Sequence, residues 1–479
     1  MDTFKQSLVQ LYWDACRSPP IEGFSSPIHR RIHAFFSCSI VSQMPELVRQ
    51  LMAHVRDVEH GKGEWHISYD MLYTWFSLDP DAYTCSLDDS SIYVKCLRDF
   101  IQYGSWKDVK YFAGYVLKQS NRPHHPLIGA CIRLFNDQLT VDLASNSIVS
   151  HAAKWVPRES SAYSWLFYRL ASDWALRHRP YYQRHATTQP QKQSAMRKSL
   201  GEYRRMVSRL AAHPAKETGE RTLLYTLDSF VKRSMEIIQA RKRVVDEGVF
   251  DWAVHHQTML LQNSWEKYVA SVSDEAVLGN LLPVMDISKT MHEHNQFAYR
   301  NAMGMACFLC QKMNPFRRRI ITIDYHPSWI DLSSCTTLVD MIETIQSSSR
   351  GNTVPRLKNT FAMLKTAVAS ASLPETEPLD VVVLSNMSWL ADSVEDLTDD
   401  FFYDTNISLV LWKICNGSTD TYSPASIPAS LYMRPKIAMY SGISPLLCSR
   451  LLEQRHWVPH VRDQTAYSSI LQTLFMTRH

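Results

Sequence analysis

The stretch Leu281-Leu282-Pro283-Val284-Met285-Asp286-Ile287-Ser288-Lys289-Thr290 decides the fold. An apolar run ends in Asp-x-Ser-x-Thr, and a helical pattern follows at once. A carboxylate and two hydroxyls at alternate positions, on a loop leaving a strand, can point three oxygens at one ion. Hard divalent cations such as Mg²⁺ take oxygen ligands in near-octahedral array. The spacing therefore predicts a strand-end site for Mg²⁺ or another divalent cation. In the competing reading Asp286 caps the following helix and the hydroxyls satisfy loop backbone groups.

Downstream, Asn295 to Met313 reads as a helix, Arg319 to Asp324 as a β-branched strand, and Thr337 to Ile345 and Pro355 to Val368 as helices. Asp380 to Ser385 and Ile407 to Trp412 are continuous apolar runs, as parallel strands buried on both faces require. Lys436 to Tyr440 reads as a last short strand before a helix from Pro445 to Glu453. Alternating strands and helices imply a doubly wound, Rossmann-like α/β sheet, whose ligands bind beyond the carboxyl ends of the strands. Asp286, Thr353 and Asn386 all fall near such ends. Ser347 to Pro355 reads as a loop beside the metal site, and Ser372 to Pro378 as a surface turn.

Upstream the pattern is helical. Glu46 to Val58, Ile92 to Tyr103, Lys107 to Gln119, Ser161 to Arg177, Leu200 to Ala212 and Thr222 to Arg241 carry apolar residues at helical spacing. Breaks fall at Ser18-Pro19-Pro20, Asp79-Pro80-Asp81, Asn121-Arg122-Pro123 and His213-Pro214. Successive helices with short polar breaks predict an all-α helical-repeat region, a HEAT-like solenoid without a fixed period. Tyr182 to Ser194 lacks apolar periodicity and reads as a long basic loop. The expected organisation is a helical segment over 1–94, a helical-repeat region over 95–265 and an α/β domain over 281–479, with a polar junction at 266–280.

The net charge of the 479 residues is only +4, but it is unevenly spread. From Lys154 to Arg243 there are nineteen basic against seven acidic residues, a net of +12, which leaves −8 on the remainder. A basic segment inside an otherwise acidic chain is the footprint of a polyanion partner. The candidate nucleic-acid-binding residues are Lys154, Arg158, Arg177, Arg179, Arg197, Lys198, Arg204, Arg205, Lys232 and Arg233. Trp165, Tyr168, Trp174, Tyr181, Tyr182 and Tyr203 interleave with them as rings that could stack on unpaired bases. A solvated basic helix face over core aromatics is the plainer alternative.

Hydrophobic content of 45% and 20% charged residues are ordinary globular values. No run approaches the roughly 18 apolar residues of a spanning helix, and the N-terminus lacks the order of a signal peptide. The ten cysteines are scattered. Cys307 and Cys310 lie one helical turn apart with no second Cys/His pair to complete a zinc site. Buried thiols in a reducing compartment fit better. A cytoplasmic location is expected, with nuclear or virion-associated placement left open.

Residues 281 to 455 resemble the von Willebrand factor A (vWA) half of the Ro/TROVE class, whose metal-ion-dependent adhesion site opens with the Asp-x-Ser-x-Thr pattern. The likeness is closest to an uncharacterised family joining a TROVE-like helical region to a vWA domain. Asp324-Tyr325-His326-Pro327, Asn352-Thr353-Val354, Leu384-Ser385-Asn386-Met387 and Leu411-Trp412-Lys413 follow that family's order. Gly104-Ser105-Trp106-Lys107-Asp108 and Lys154-Trp155-Val156-Pro157-Arg158-Glu159 resemble two of its helical motifs. The likeness spans roughly residues 95 to 455. It implies metal ligation by Asp286, Ser288, Thr290, Thr353 and Asn386. Val354 and Asn386 depart from the family, each replacing an acid, so any metal would be weakly held because affinity follows ligand charge.

The resemblance further implies a non-enzymatic ribonucleoprotein component that binds RNA through its basic helical region. The alternative is a vWA-type scaffold gripping a protein partner through the metal, for example in a virion. A haloacid-dehalogenase-type phosphatase, with Asp286 as nucleophile and Ser385 holding phosphate, is a remote third reading. It lacks the general acid two residues on, where Ser288 stands.

Overall fold

The computed structural model describes residues 2–16, 27–58, 61–84, 87–145, 150–178, 188–212, 226–247, 251–271, 281–292, 296–312, 318–348, 357–371, 379–387, 389, 407–414, 431, 433–443 and 465–475. Arg179, Tyr181, Tyr182, Thr353, the Ser372–Pro378 turn and the Pro445–Glu453 helix lie outside the described residues, as does the side chain of Thr290.

The chain opens with α1 (Asp2–Asp14), α2 (Pro27–Phe36), α3 (Pro45–Arg56), α4 (Trp65–Leu78), α5 (Ile92–Tyr103) and α6 (Trp106–Ser120). Then come α7 (Pro126–Ala144), α8 (Ala152–Trp155), α9 (Ser164–His178), α10 (Gln189–Ala212), α11 (Leu227–Glu247) and α12 (Trp252–Ser271). Strands begin with β1 (Leu281–Asp286), followed by α13 (Lys289–His292), α14 (Gln296–Lys312), β2 (Arg319–Ile323), β3 (Trp329–Asp331), α15 (Leu338–Ser348) and α16 (Leu357–Ala371). The last elements are β4 (Leu379–Ser385), β5 (Ile407–Lys413), β6 (Ile437–Ser441) and α17 (Ala466–Phe475). Contacts divide the chain into two units: one of residues 1–40, 58–64 and 223–479, the other of 41–57 and 65–222.

The first unit is α/β. Its sheet runs β3-β2-β1-β4-β5-β6, with every neighbouring pair parallel except the β2–β3 edge. β1 and β4 are buried along their whole length, which is why both read as unbroken apolar runs. The order reverses between them, so their carboxyl ends form the switch point at which such sheets hold ligands. Met285 pairs with Leu384, and the next residues, Asp286 and Ser385, therefore come side by side.

Helices α11 and α12 share a core with α14: Phe230, Val231, Trp265 and Tyr268 pack in one cluster with Ala302, Met303, Phe308 and Leu309. Gly304 makes the approach of α14 to α11 close, because a Cβ there would stand 3.0 Å from Leu227 Cβ. By packing, residues 223–271 thus go with the sheet, so the boundary between units falls at 222/223 rather than at the polar junction expected at 266–280. Cys307 and Cys310 are buried in this core, and burial pushes the Cys310 thiol up to about 12, so both stay protonated.

The second unit is helical, and each helix packs chiefly on its near neighbours in the chain: α3 on α4 and α5, α5 on α6, α6 on α7, α7 on α9, and α9 on α10. Gly104-Ser105-Trp106-Lys107-Asp108 has a structural logic here. Asp108 closes a capping box with Ser105 at the start of α6. It also takes Arg56 through two hydrogen bonds of 2.8 and 2.7 Å and Tyr69 Oη at 2.6 Å. A Cβ on Gly104 would lie 2.4 Å from both Arg56 and Asp108, so only glycine leaves room for the pair.

One loop expectation fails. Residues 189–194, read as part of a basic loop, form the first turns of α10. Those turns are solvent-exposed and so carry no apolar periodicity, while Pro190 at the helix start was a signal passed over.

Candidate functional site

Asp286 sits at the end of β1 with no solvent exposure. Its Oδ1 accepts the Ser288 backbone N–H at 2.9 Å, and its Oδ2 accepts the Ser385 hydroxyl at 2.5 Å. The Ser288 hydroxyl also hydrogen-bonds the carboxylate. Trp389 completes the set: its indole N–H lies 3.1 Å from Oδ2 and 2.9 Å from Ser385 Oγ. The turn that returns Trp389 puts Met387 in the left-handed region (φ 60°). The Met387 N–H bonds Ser385 Oγ at 2.9 Å. Burial pushes the Asp286 pKa up, and the bonds from Ser288, Ser385 and Trp389 oppose that rise.

This arrangement brings the expected Asp286, Ser288 and Asn386 into one neighbourhood, but not as an open metal site. A carboxylate offers about four lone-pair sites, and four donors fill them here. A divalent cation at Asp286 would have to displace the Trp389 and Ser385 hydrogens. Among the described residues no group of three or more His, Cys, Asp or Glu gathers in a metal-binding arrangement. Asn386 is buried, its N–H directed at Met291 Sδ at 3.2 Å. Among the described residues the donors around Asp286 leave its carboxylate no lone pair for Mg²⁺, and no chemistry is routed through one. The same saturation makes Asp286 a poor nucleophile. Sequence reasoning missed Trp389, which lies 103 residues from Asp286 and offers no spacing signal.

A second buried polar group at the sheet's carboxyl edge was also missed. Lys413, at the end of β5, pairs with Asp14 of α1 at 3.0 Å, and Arg31 holds the same carboxylate. Lys62 points its ammonium at the Tyr12 carbonyl and at Ser441 Oγ at the end of β6. Its Nζ stands 3.9 Å from the Tyr12 ring centroid. Burial lowers the Lys62 pKa to about 7, with nearby Lys413 adding to the effect.

The basic candidates divide between the units. Lys154, Arg158, Arg177, Arg197, Lys198, Arg204 and Arg205 lie on the helical unit, whereas Lys232 and Arg233 lie on α11 of the α/β unit. Arg177 is held by Asp137 and Asp173, Arg204 by Glu159 and Arg233 by Glu236. Lys154, Arg158, Arg197, Lys198 and Arg205 are all exposed. Helix α10 concentrates the charge, with six basic residues (Lys192, Arg197, Lys198, Arg204, Arg205, Arg209) against Glu202 alone. Of the interleaved aromatics, Trp174 and Tyr203 belong to the core and cannot stack on a ligand, and Trp165 is half-buried. Tyr168 is 44% exposed, beside a cleft of about 370 Å³ between α9 and α10 lined also by Leu176, Lys192, Met196 and Leu200.

No protein-family model matches the chain. It is 23% identical over 486 residues to an uncharacterized protein of Acanthamoeba polyphaga mimivirus, covering 86% of this chain and 77% of that protein. No helix among the described residues is long and apolar enough to cross a membrane.

Proposed function

We propose that the chain is a non-enzymatic RNA-binding protein of TROVE/vWA type, with affinity supplied by the basic face of the helical unit. The observation that carries this reading is α10, whose exposed Arg197, Lys198, Arg205 and Arg209 line one long helix with little acid to neutralise them. Guanidinium and ammonium groups so displayed suit phosphate oxygens. The strand order, with its antiparallel edge β3 and Asp286 at the switch point, supports the vWA part. The saturation of Asp286 argues for a supporting role of the α/β unit rather than metal-dependent capture of a partner.

The test is electrostatic. Reversing Arg197, Lys198, Arg205 and Arg209 together to Glu removes up to four phosphate contacts, leaving Arg204 with Glu159. The slope of log affinity against log salt should become shallower by about 3. Anisotropy titrations with labelled RNA across a salt series measure it. An unchanged slope would take α10 out of the RNA footprint.

A further inference from the structure

The two helical motifs singled out in the sequence, around Lys107 and around Trp155, meet in one cluster. Lys107, Lys110, Tyr111 and Gly114 share a face of α6 by their i, i+3, i+4, i+7 spacing. Gly114 has no Cβ, and one there would stand 2.4 Å from the Tyr163 ring. The missing atom lets Tyr163 lie across the helix, edge-on to Tyr111 at 5.5 Å. Trp155 ends α8 on the same side. The Lys107 ammonium stands 5.5 Å from the Tyr111 centroid and 5.7 Å from that of Trp155. That of Lys110 stands 5.0, 5.8 and 5.2 Å from Tyr111, Trp155 and Tyr163.

Two ammonium groups therefore crowd onto the same rings, and among the described residues neither has a carboxylate partner. The acids in the same two motifs are engaged elsewhere: Asp108 with Arg56, and Glu159 with Arg204. Burial lowers the pKa of Lys110, and the charge of Lys107 adds to the effect. Exposed Lys154 and Arg158 add positive charge on the flanks. The Glu159–Arg204 pair joins this segment to α10, which also packs on α8.

We infer that Lys107, Lys110, Tyr111, Trp155 and Tyr163 form a site for an unpaired nucleotide segment, with the phosphate between the two lysines and the base stacked on the rings. This rests on the RNA reading above and sharpens it. The ammonium groups lie on the rings in the unliganded protein and turn to the phosphate when a base takes their place. Duplex RNA, whose bases are stacked within the helix, would not use the rings.

The test uses the full chain, a labelled oligouridylate and a duplex RNA. Lys107→Gln with Lys110→Gln keeps the packing stems and removes both charges. It should flatten the oligouridylate salt slope by about 1.4 and leave duplex binding unchanged. Trp155→Leu should weaken oligouridylate binding about tenfold or more, again sparing the duplex. If both variants bind oligouridylate like the parent while the α10 reversal weakens it, the site is refuted and the RNA reading stands. If the parent binds neither RNA, the reading and the site fail together. Quenching of Trp fluorescence by inorganic phosphate but not by uridine monophosphate would overturn the nucleotide assignment in favour of a plain anion site.

Discussion

Asp108→Asn should cost the helical unit a large part of its stability. Asp108 is almost fully buried and its two oxygens serve Arg56 Nε and Nη2, Tyr69 Oη and the Ser105 N–H, at 2.6 to 2.8 Å. Asparagine keeps one acceptor oxygen and replaces the other with an NH₂ that must face two of those donors. Arg56, 7% exposed, would keep its charge without a counter-ion. Breaking a buried pair in this way costs about 3–5 kcal/mol, against a total of about 5–15 kcal/mol for a typical domain. Because a two-unit chain need not unfold in one step, the sensitive readout is local: amide hydrogen exchange in peptides covering residues 92–120. A loss of about 4 kcal/mol should speed exchange there roughly a thousandfold. Arg98→Ala is the control, since its pair with Asp89 is exposed (53% and 79%) and worth at most about 1 kcal/mol. If Asp108→Asn accelerates exchange no more than Arg98→Ala, this network does not hold the unit together.

Three further outcomes are expected. Asp286 titrates higher when folded than its ordinary 3.8, so its contribution to stability is full below that value and is lost as pH rises through the folded pKa; thermal melts of Asp286→Asn should gain on the parent from pH 4 to 8, and a constant difference would contradict the burial argument. Calorimetry with Mg²⁺ should show no binding by the parent, and Trp389→Phe, which frees one lone pair, should cost about 1.5–3 kcal/mol of stability; tight Mg²⁺ binding by the parent would mean that Asp286 is not saturated. Lys62, depressed from 10.5 to about 7, contributes stability that is present above 10.5 and lost as pH falls towards 7, so Lys62→Met should gain on the parent between pH 10 and pH 7, measured by urea midpoints.

What could be read in advance follows from which forces leave a local trace. β1, β4 and β5 are buried on both faces, and their apolar runs gave their limits to within a residue. Helices α5 and α6 were equally plain, since each packs one apolar face on its neighbours. β3 left no trace: three residues, paired antiparallel with β2, are too few to show a periodicity. Asp286 was legible because its ligand-like neighbours lie two and four residues away, whereas Trp389 reaches it only through the tertiary fold. The packing of α11 and α12 beside α14, and of α1 near the last strand, likewise rests on contacts between distant segments. The burial of Trp174 and Tyr203 could not be told from exposure by spacing alone.

The contact of Ser441 with the Tyr12 carbonyl joins residues 429 positions apart in the chain. At the usual pace of about 5–20 residues per second on the ribosome, helix α1 waits roughly 20–90 s for the strand it packs against. In that interval α1 has α2 beside it, with Phe35 stacked on Phe4, but neither β6 nor α17 to pack against. The helical unit, whose residues end at 222, is made meanwhile and consists of neighbour contacts that need no later segment. Synthesis therefore imposes an order: the inserted helices settle first, and the sheet closes around the waiting N-terminus last. A chain stopped before β6 would leave the side of α1 that packs on β6 and α17 uncovered even with its helical unit fully formed.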